Sequence, residues 1–96
     1  MSVAETMRRK LIAALGPERL VIKDESHLHA GHAGARAGGQ SHFRVLIVAA
    51  AFEGERAIAR QRRVNEALKE ELGGPVHALA MKTLTPTEYR AAADPA

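Results

Sequence analysis

Imidazole is the side chain through which this sequence is equipped to do chemistry. Four of its five histidines, His27, His29, His32 and His42, fall within sixteen residues, and His77 stands apart from them. Neutral imidazole suits zinc and copper, so the run His27-Leu28-His29-Ala30-Gly31-His32 is a candidate metal site by itself. Its spacing is short, however, no fourth ligand is evident, and a glycine-rich loop makes a poor preformed cage. The plain alternative is a solvated histidine-rich loop that holds no ligand. His77 taken alone reads as a half-buried strand histidine bonded to backbone, and His42 as a structural residue at a strand start. With no cysteine the chain has no disulfide, no Cys-x-x-Cys zinc motif and no thiol nucleophile.

The second group with chemical potential is basic. Arg56, Arg60, Arg62 and Arg63, with Lys82, could contact phosphates, and a net charge of +3 with a pI of about 9.8 permits nucleic-acid binding. Such contacts give affinity with steep salt dependence and little sequence specificity. Against this, Gly54 is followed by Glu55-Arg56-Ala57, so the Gly-x-x-Gly loop of a KH domain is missing, and Phe43 and Phe52 read as core rather than as a stacking platform. The same arginines also read as a solvated helix face, with Arg60 and Arg63 bridging to Glu66 and Glu70. An enzyme is not indicated. Asp24-Glu25 implies no pocket, and Ser26, Ser41 and the histidines lack an oxyanion site and a buried acid.

The elements that must position these residues can be read from pattern. Ser2 and Glu5 form a capping box opening a first helix with Val3, Met7, Leu11, Ile12 and Leu15 on one stripe, ended by Gly16-Pro17. Leu20-Val21-Ile22 reads as a first strand, and the glycine-rich stretch 27–41 as a long mobile loop. His42 to Ala49 reads as a second strand antiparallel to the first, with Phe52-Glu53-Gly54 turning the chain. Helix propensity then runs from Glu55 to Leu72, but four polar residues in a row, Arg60 to Arg63, predict a kink near Arg60 to Gln61. Val76 to Lys82 alternates as a third strand, and Thr85-Pro86-Thr87-Glu88 caps a last helix carrying Tyr89, with residues 94–96 a frayed tail. A helical crossover makes strands two and three parallel. The expected architecture is one α+β domain over 1–96, a three-stranded mixed sheet with helices on one face. No apolar run approaches the ~20 residues of a membrane helix, and the first fifteen residues lack the order of a secretory signal, so a cytoplasmic protein is expected.

On these residues the sequence resembles the BolA family. The resemblance is carried by Asp24-Glu25-Ser26, Ser41-His42-Phe43-Arg44-Val45, Phe52-Glu53-Gly54, Arg60 with Arg62-Arg63-Val64, Val76-His77-Ala78-Leu79-Ala80 and Thr85-Pro86, in order over residues 20–90. It implies a class II KH-like αββααβα fold. It also implies partnership with a monothiol, CGFS-type glutaredoxin as a heterodimer that shares a [2Fe–2S] cluster in iron–sulfur trafficking or iron homeostasis; DNA binding as a transcriptional regulator is the alternative. Iron–sulfur clusters are held by thiolates, with imidazole substituting at some positions. The resemblance therefore implies two ligands from this chain, the rest coming from the partner's cysteine and its glutathione. His77 matches the family's strand histidine. The other ligand comes from the loop between the first two strands, where counting from Asp24-Glu25-Ser26 favours His29 and the Gly31-His32-Ala33-Gly34 context makes His32 its rival.

Overall fold

The computed structural model describes residues 2–26 and 41–93. The elements are α1 (Val3–Leu15), β1 (Arg19–Asp24), β2 (His42–Val48), a 3₁₀ turn (Ala50–Phe52), α2 (Ala57–Ala67), α3 (Lys69–Leu72), β3 (Ala78–Leu84) and α4 (Pro86–Ala93). The sheet order is β1-β2-β3, with β1 antiparallel and β3 parallel to β2. The expected α+β architecture is therefore present. The loop stretch 27–40, with His27, His29 and His32, lies outside the described residues, as does the tail 94–96.

Local sequence explains the ends of the elements. Ser2 Oγ accepts the Glu5 N–H at 3.1 Å. Gly16, at φ 53°, takes the left-handed cap that a residue with a Cβ adopts only at a cost, and its N–H closes on the Ile12 carbonyl. Thr85 and Glu88 make the full reciprocal capping box, Thr85 N–H to Glu88 Oε1 at 2.8 Å and Glu88 N–H to Thr85 Oγ1 at 3.1 Å. The core lies between one sheet face and the helices. Phe43, Val45 and Ile47 of β2 meet Met7 and Leu11 of α1, Val64 of α2, and Leu68, all buried. Phe52, fully buried in the 3₁₀ turn, is the largest side chain there.

Two boundaries differ from the sequence expectation. The third strand is Ala78–Leu84 rather than Val76 to Lys82, because Val76 turns into the core and its N–H bonds the Glu71 carbonyl of α3 at 2.9 Å. The expected kink near Arg60 to Gln61 is also not there: α2 runs unbroken through both, and the interruption falls at Leu68. The reason is that Arg60 is not on the polar face. It is only 9% exposed and continues the buried row Arg60, Val64, Leu68, Glu71. Its guanidinium donates to the carbonyls of Glu55 (2.9 Å) and Thr83 (3.0 Å) and to both oxygens of Glu88 (2.6 and 3.2 Å), and it lies 5.7 Å from the Phe52 ring centroid. The bridges expected from Arg60 and Arg63 to Glu66 and Glu70 do not form; Arg63 pairs with Glu55, and Glu70 with Lys10.

Arg60 thus ties α2, β3 and α4 together. It sets the behaviour of Glu88, whose carboxyl is pulled down to about 2 from 4.5, first by the Arg60 hydrogen bond and then by the Thr85 N–H. A carboxylate lowered on folding contributes stability above its unfolded pKa and loses that contribution as pH falls through the folded value. The stability advantage of wild type over Glu88→Gln is expected to be constant above about pH 4.5 and to vanish toward pH 2 in urea unfolding. Arg60→Ala is expected to cost about 2 kcal/mol at neutral pH, less than the roughly 3–5 kcal/mol of a fully buried pair because Glu88 is half exposed to water; an unchanged urea midpoint would count against the node.

Candidate functional site

The site grows from three short polar residues at the ends of β1 and β2. Asp24 Oδ1 accepts both the N–H and the hydroxyl of Ser26, at 2.9 and 2.5 Å, the local turn that Asp favours two residues ahead of a donor. With its proton given to Asp24, the Ser26 oxygen accepts the Ser41 N–H at 3.0 Å and the His42 N–H at 3.1 Å, with the Ser41 hydroxyl 3.3 Å away. Ser26 and Ser41 are both buried, so each of these bonds satisfies a group that water does not reach. Residues fifteen apart in the chain are thereby held together at the start of β2.

Ser41 passes this anchoring on to the third strand. Its carbonyl accepts the His77 N–H at 2.7 Å and the Ala78 N–H at 3.2 Å, and the parallel register begins at His42 opposite Ala78. His42 is buried, with Nδ1 2.9 Å from Ser41 Oγ. His77 is exposed, and its ring lies 5.4 Å from that of His42 at 50°. The structure therefore brings together two histidines, one held and one presented to solvent. His77 stands one residue before β3, neither half-buried nor in the strand as its alternation suggested. Its backbone is fixed, while its imidazole makes no hydrogen bond among the described residues.

Of the sequence-derived metal ligands, His77 is thus placed and available, whereas His29 and His32 lie outside the described residues. Among the described residues no three His, Asp or Glu side chains converge as a metal cage. The donor set here is one free imidazole with no thiol, which suits a partial set of cluster ligands. The basic candidates are split. Arg60 and Arg63 are committed to Glu88 and Glu55, Arg56 is exposed at the N-cap of α2 and Arg62 on the helix, and Lys82 is exposed on the sheet face away from the core. Sequence reasoning missed the Ser26–Ser41 clamp and the approach of His42 to His77. The Asp-x-Ser turn is a readable local signal, but the long-range donors that the Ser26 oxygen accepts are not.

An exposed histidine at the leading edge of a three-stranded mixed sheet, backed by helices in the order αββααβα, defines a small α+β protein of KH-like plan with a one-sided site. The model of the BolA-like protein family matches residues 11–88, and the chain belongs to that family. It is 49% identical over 88 residues to BolA-like protein 1 of Mus musculus, covering 92% of this chain and 61% of that protein. It is 37% identical over 91 residues to the DNA-binding transcriptional regulator BolA of Haemophilus influenzae, covering 95% of this chain and 84% of that one. The solved structure of BolA1 from Arabidopsis thaliana superposes with a TM-score of 0.79 at 45% identity, over 88% of this chain and 93% of that one. The chain spans about three fifths of the mouse relative's length. No helix among the described residues is long and apolar enough to cross a membrane.

Removing the clamp oxygen leaves the buried Ser41 and His42 N–H groups without their acceptor. Ser26→Ala is expected to lose about 1–3 kcal/mol in chemical denaturation, with the Ser41 and His42 amides among those whose hydrogen exchange speeds up most; wild-type protection at both would show that the clamp holds nothing.

Proposed function

We propose that this protein is a cytoplasmic, non-enzymatic adaptor that pairs with a monothiol glutaredoxin and contributes imidazole to a shared [2Fe–2S] cluster. The observation that carries the reading is His77: exposed, without a ring hydrogen bond among the described residues, and fixed through its backbone to Ser41. A ligand presented this way loses little conformational freedom on binding, since its main chain is already ordered. The chain has no cysteine, and in this reading the thiolates come from the partner's cysteine and its glutathione, as the family resemblance implies. His29 or His32 supplies the second imidazole. The stretch that holds them leaves Ser26, and Ser26 is clamped to the residue whose carbonyl anchors His77.

When bound, the cluster supplies iron positions that accept neutral imidazole nitrogen. The work of this chain is to present His77 outward, to hold the base of the histidine loop beside it, and to offer a face to the partner. Mixing the protein with a cluster-loaded monothiol glutaredoxin is expected to change the visible absorption and circular dichroism. His77→Ala abolishes that change, and His29→Ala and His32→Ala, made singly, identify the loop ligand. A spectral change that survives His77→Ala overturns the assignment.

A second reading, DNA binding, is supported by the name of the Haemophilus influenzae relative and by the pI of about 9.8. It requires association that persists without metal and weakens steeply with salt. A pull-down from anaerobic lysate separates the two readings by whether glutaredoxin or DNA is recovered.

A further inference from the structure

The helices pack against one face of the sheet, and among the described residues the middle of the other is open, while at one end of it Val48 is buried and Tyr89 of α4 lies against Arg19. That face carries Arg19, Val21 and Lys23 of β1, Arg44 and Leu46 of β2, and Ala80 and Lys82 of β3; its cations and Ala80 are exposed, and Val21 and Leu46 are half-buried. Register places Lys23 directly opposite Arg44, Val21 opposite Leu46, and Leu46 opposite Lys82. The result is an apolar floor with a cationic rim around a depression of about 520 Å³. Like charges directly opposite on antiparallel strands are destabilising, and nothing in the packing calls for Lys23 against Arg44.

These cations are poorly neutralised from within. Arg44 meets Glu25 at 3.2 Å yet stays 62% exposed, and Arg19 lies over the Tyr89 ring at 5.7 Å from its centroid. Lys23 and Lys82 make no hydrogen bond or ion pair among the described residues. On α2, by contrast, Arg60 and Arg63 are already paired. Arg56 and Arg62 leave that segment two uncommitted cations, whereas the sheet face gathers four exposed ones around a single apolar floor.

We propose that the open sheet face is a docking surface for single-stranded DNA. The inference rests on the nucleic-acid reading above and assigns it a surface. Phosphates meet Arg19, Lys23, Arg44 and Lys82, and bases lie on Val21, Leu46 and Ala80 with Tyr89 at the margin. Arg19 and Lys23 are four strand residues apart, about 13 Å, which leaves room for more than one nucleotide. Bases free of a partner strand can lie flat on the apolar floor, which the stacked interior of a duplex does not offer.

The test is fluorescence anisotropy of the full chain with a labelled deoxyoligonucleotide of roughly a dozen nucleotides at low salt. Lys23→Glu with Lys82→Glu is expected to weaken binding about tenfold or more, and Lys23→Gln and Lys82→Gln each to reduce the log–log salt slope by about 0.7. Circular dichroism and thermal unfolding verify that the variants fold, and the glutamine pair keeps the test open if the glutamate pair does not. If Arg56→Glu with Arg62→Glu causes the loss while the sheet variants bind as wild type, the surface is wrong and the nucleic-acid reading stands. If no oligonucleotide binds at low salt, both fall. Tighter binding of duplex or of RNA of the same sequence, or equal competition by polyglutamate, also overturns the proposal.

Discussion

Parallel pairing of β2 with β3 is the constraint on which this structure depends. Two parallel strands begin at the same edge of a sheet, so the residues that lead into them become neighbours whatever their separation in sequence. Here that rule brings His42 and His77 to within 5.4 Å, ring centroid to ring centroid, and lets one carbonyl, that of Ser41, receive two N–H groups from the chain entering β3. The same pairing demands a crossover connection, and α2 and α3 provide it. In doing so they cover one sheet face and, among the described residues, leave the middle of the other exposed. The histidine edge and the cationic face are both consequences of one topological choice.

The crossover has its own internal problem, which Arg60 solves. A guanidinium on the buried side of α2 is costly unless every donor direction finds a partner. It finds two carbonyls and a bidentate carboxylate, each from a different part of the chain. Glu88 is in turn occupied by the cap of α4, so the last helix, the third strand and the crossover meet through one ion pair. A second, more exposed set of contacts, Lys10 to Glu70 and Glu71, fastens α1 to α3 on the other side of the core. Its hydrogen bonds raise the affinity of Lys10 for its proton, Glu71 first and Glu70 second.

Much of this was legible in the sequence because it is set by local rules. The capping residues Ser2 and Thr85, the stop at Gly16, the β-branched run of β2 and the order of the elements follow from pairs of residues a few positions apart. The errors share a different origin. A polar Arg60 points outward by local pattern alone, but its inward position depends on Thr83 and Glu88, more than twenty residues away. The start of β3 was misplaced because alternation cannot show that Val76 belongs to the core rather than to the pleat. The availability of His77 and the seclusion of His42 likewise depend on burial, which two identical side chains do not reveal.

The Ser26–Ser41 clamp has a consequence for how such a protein can change over time. Because Ser26 and Ser41 are pinned to each other by the Ser26 oxygen, the two points between which residues 27–40 run are fixed by the scaffold itself. Closing a longer loop across fixed ends adds only about 0.6 kcal/mol per doubling of length. Lengthening, shortening or rewriting residues 27–40 thus need not disturb β1, β2 or the histidine that waits at their edge. The fold behaves as a socket with an exchangeable insert, in which the loop's donor groups can be varied under selection while the scaffold that addresses them stays constant.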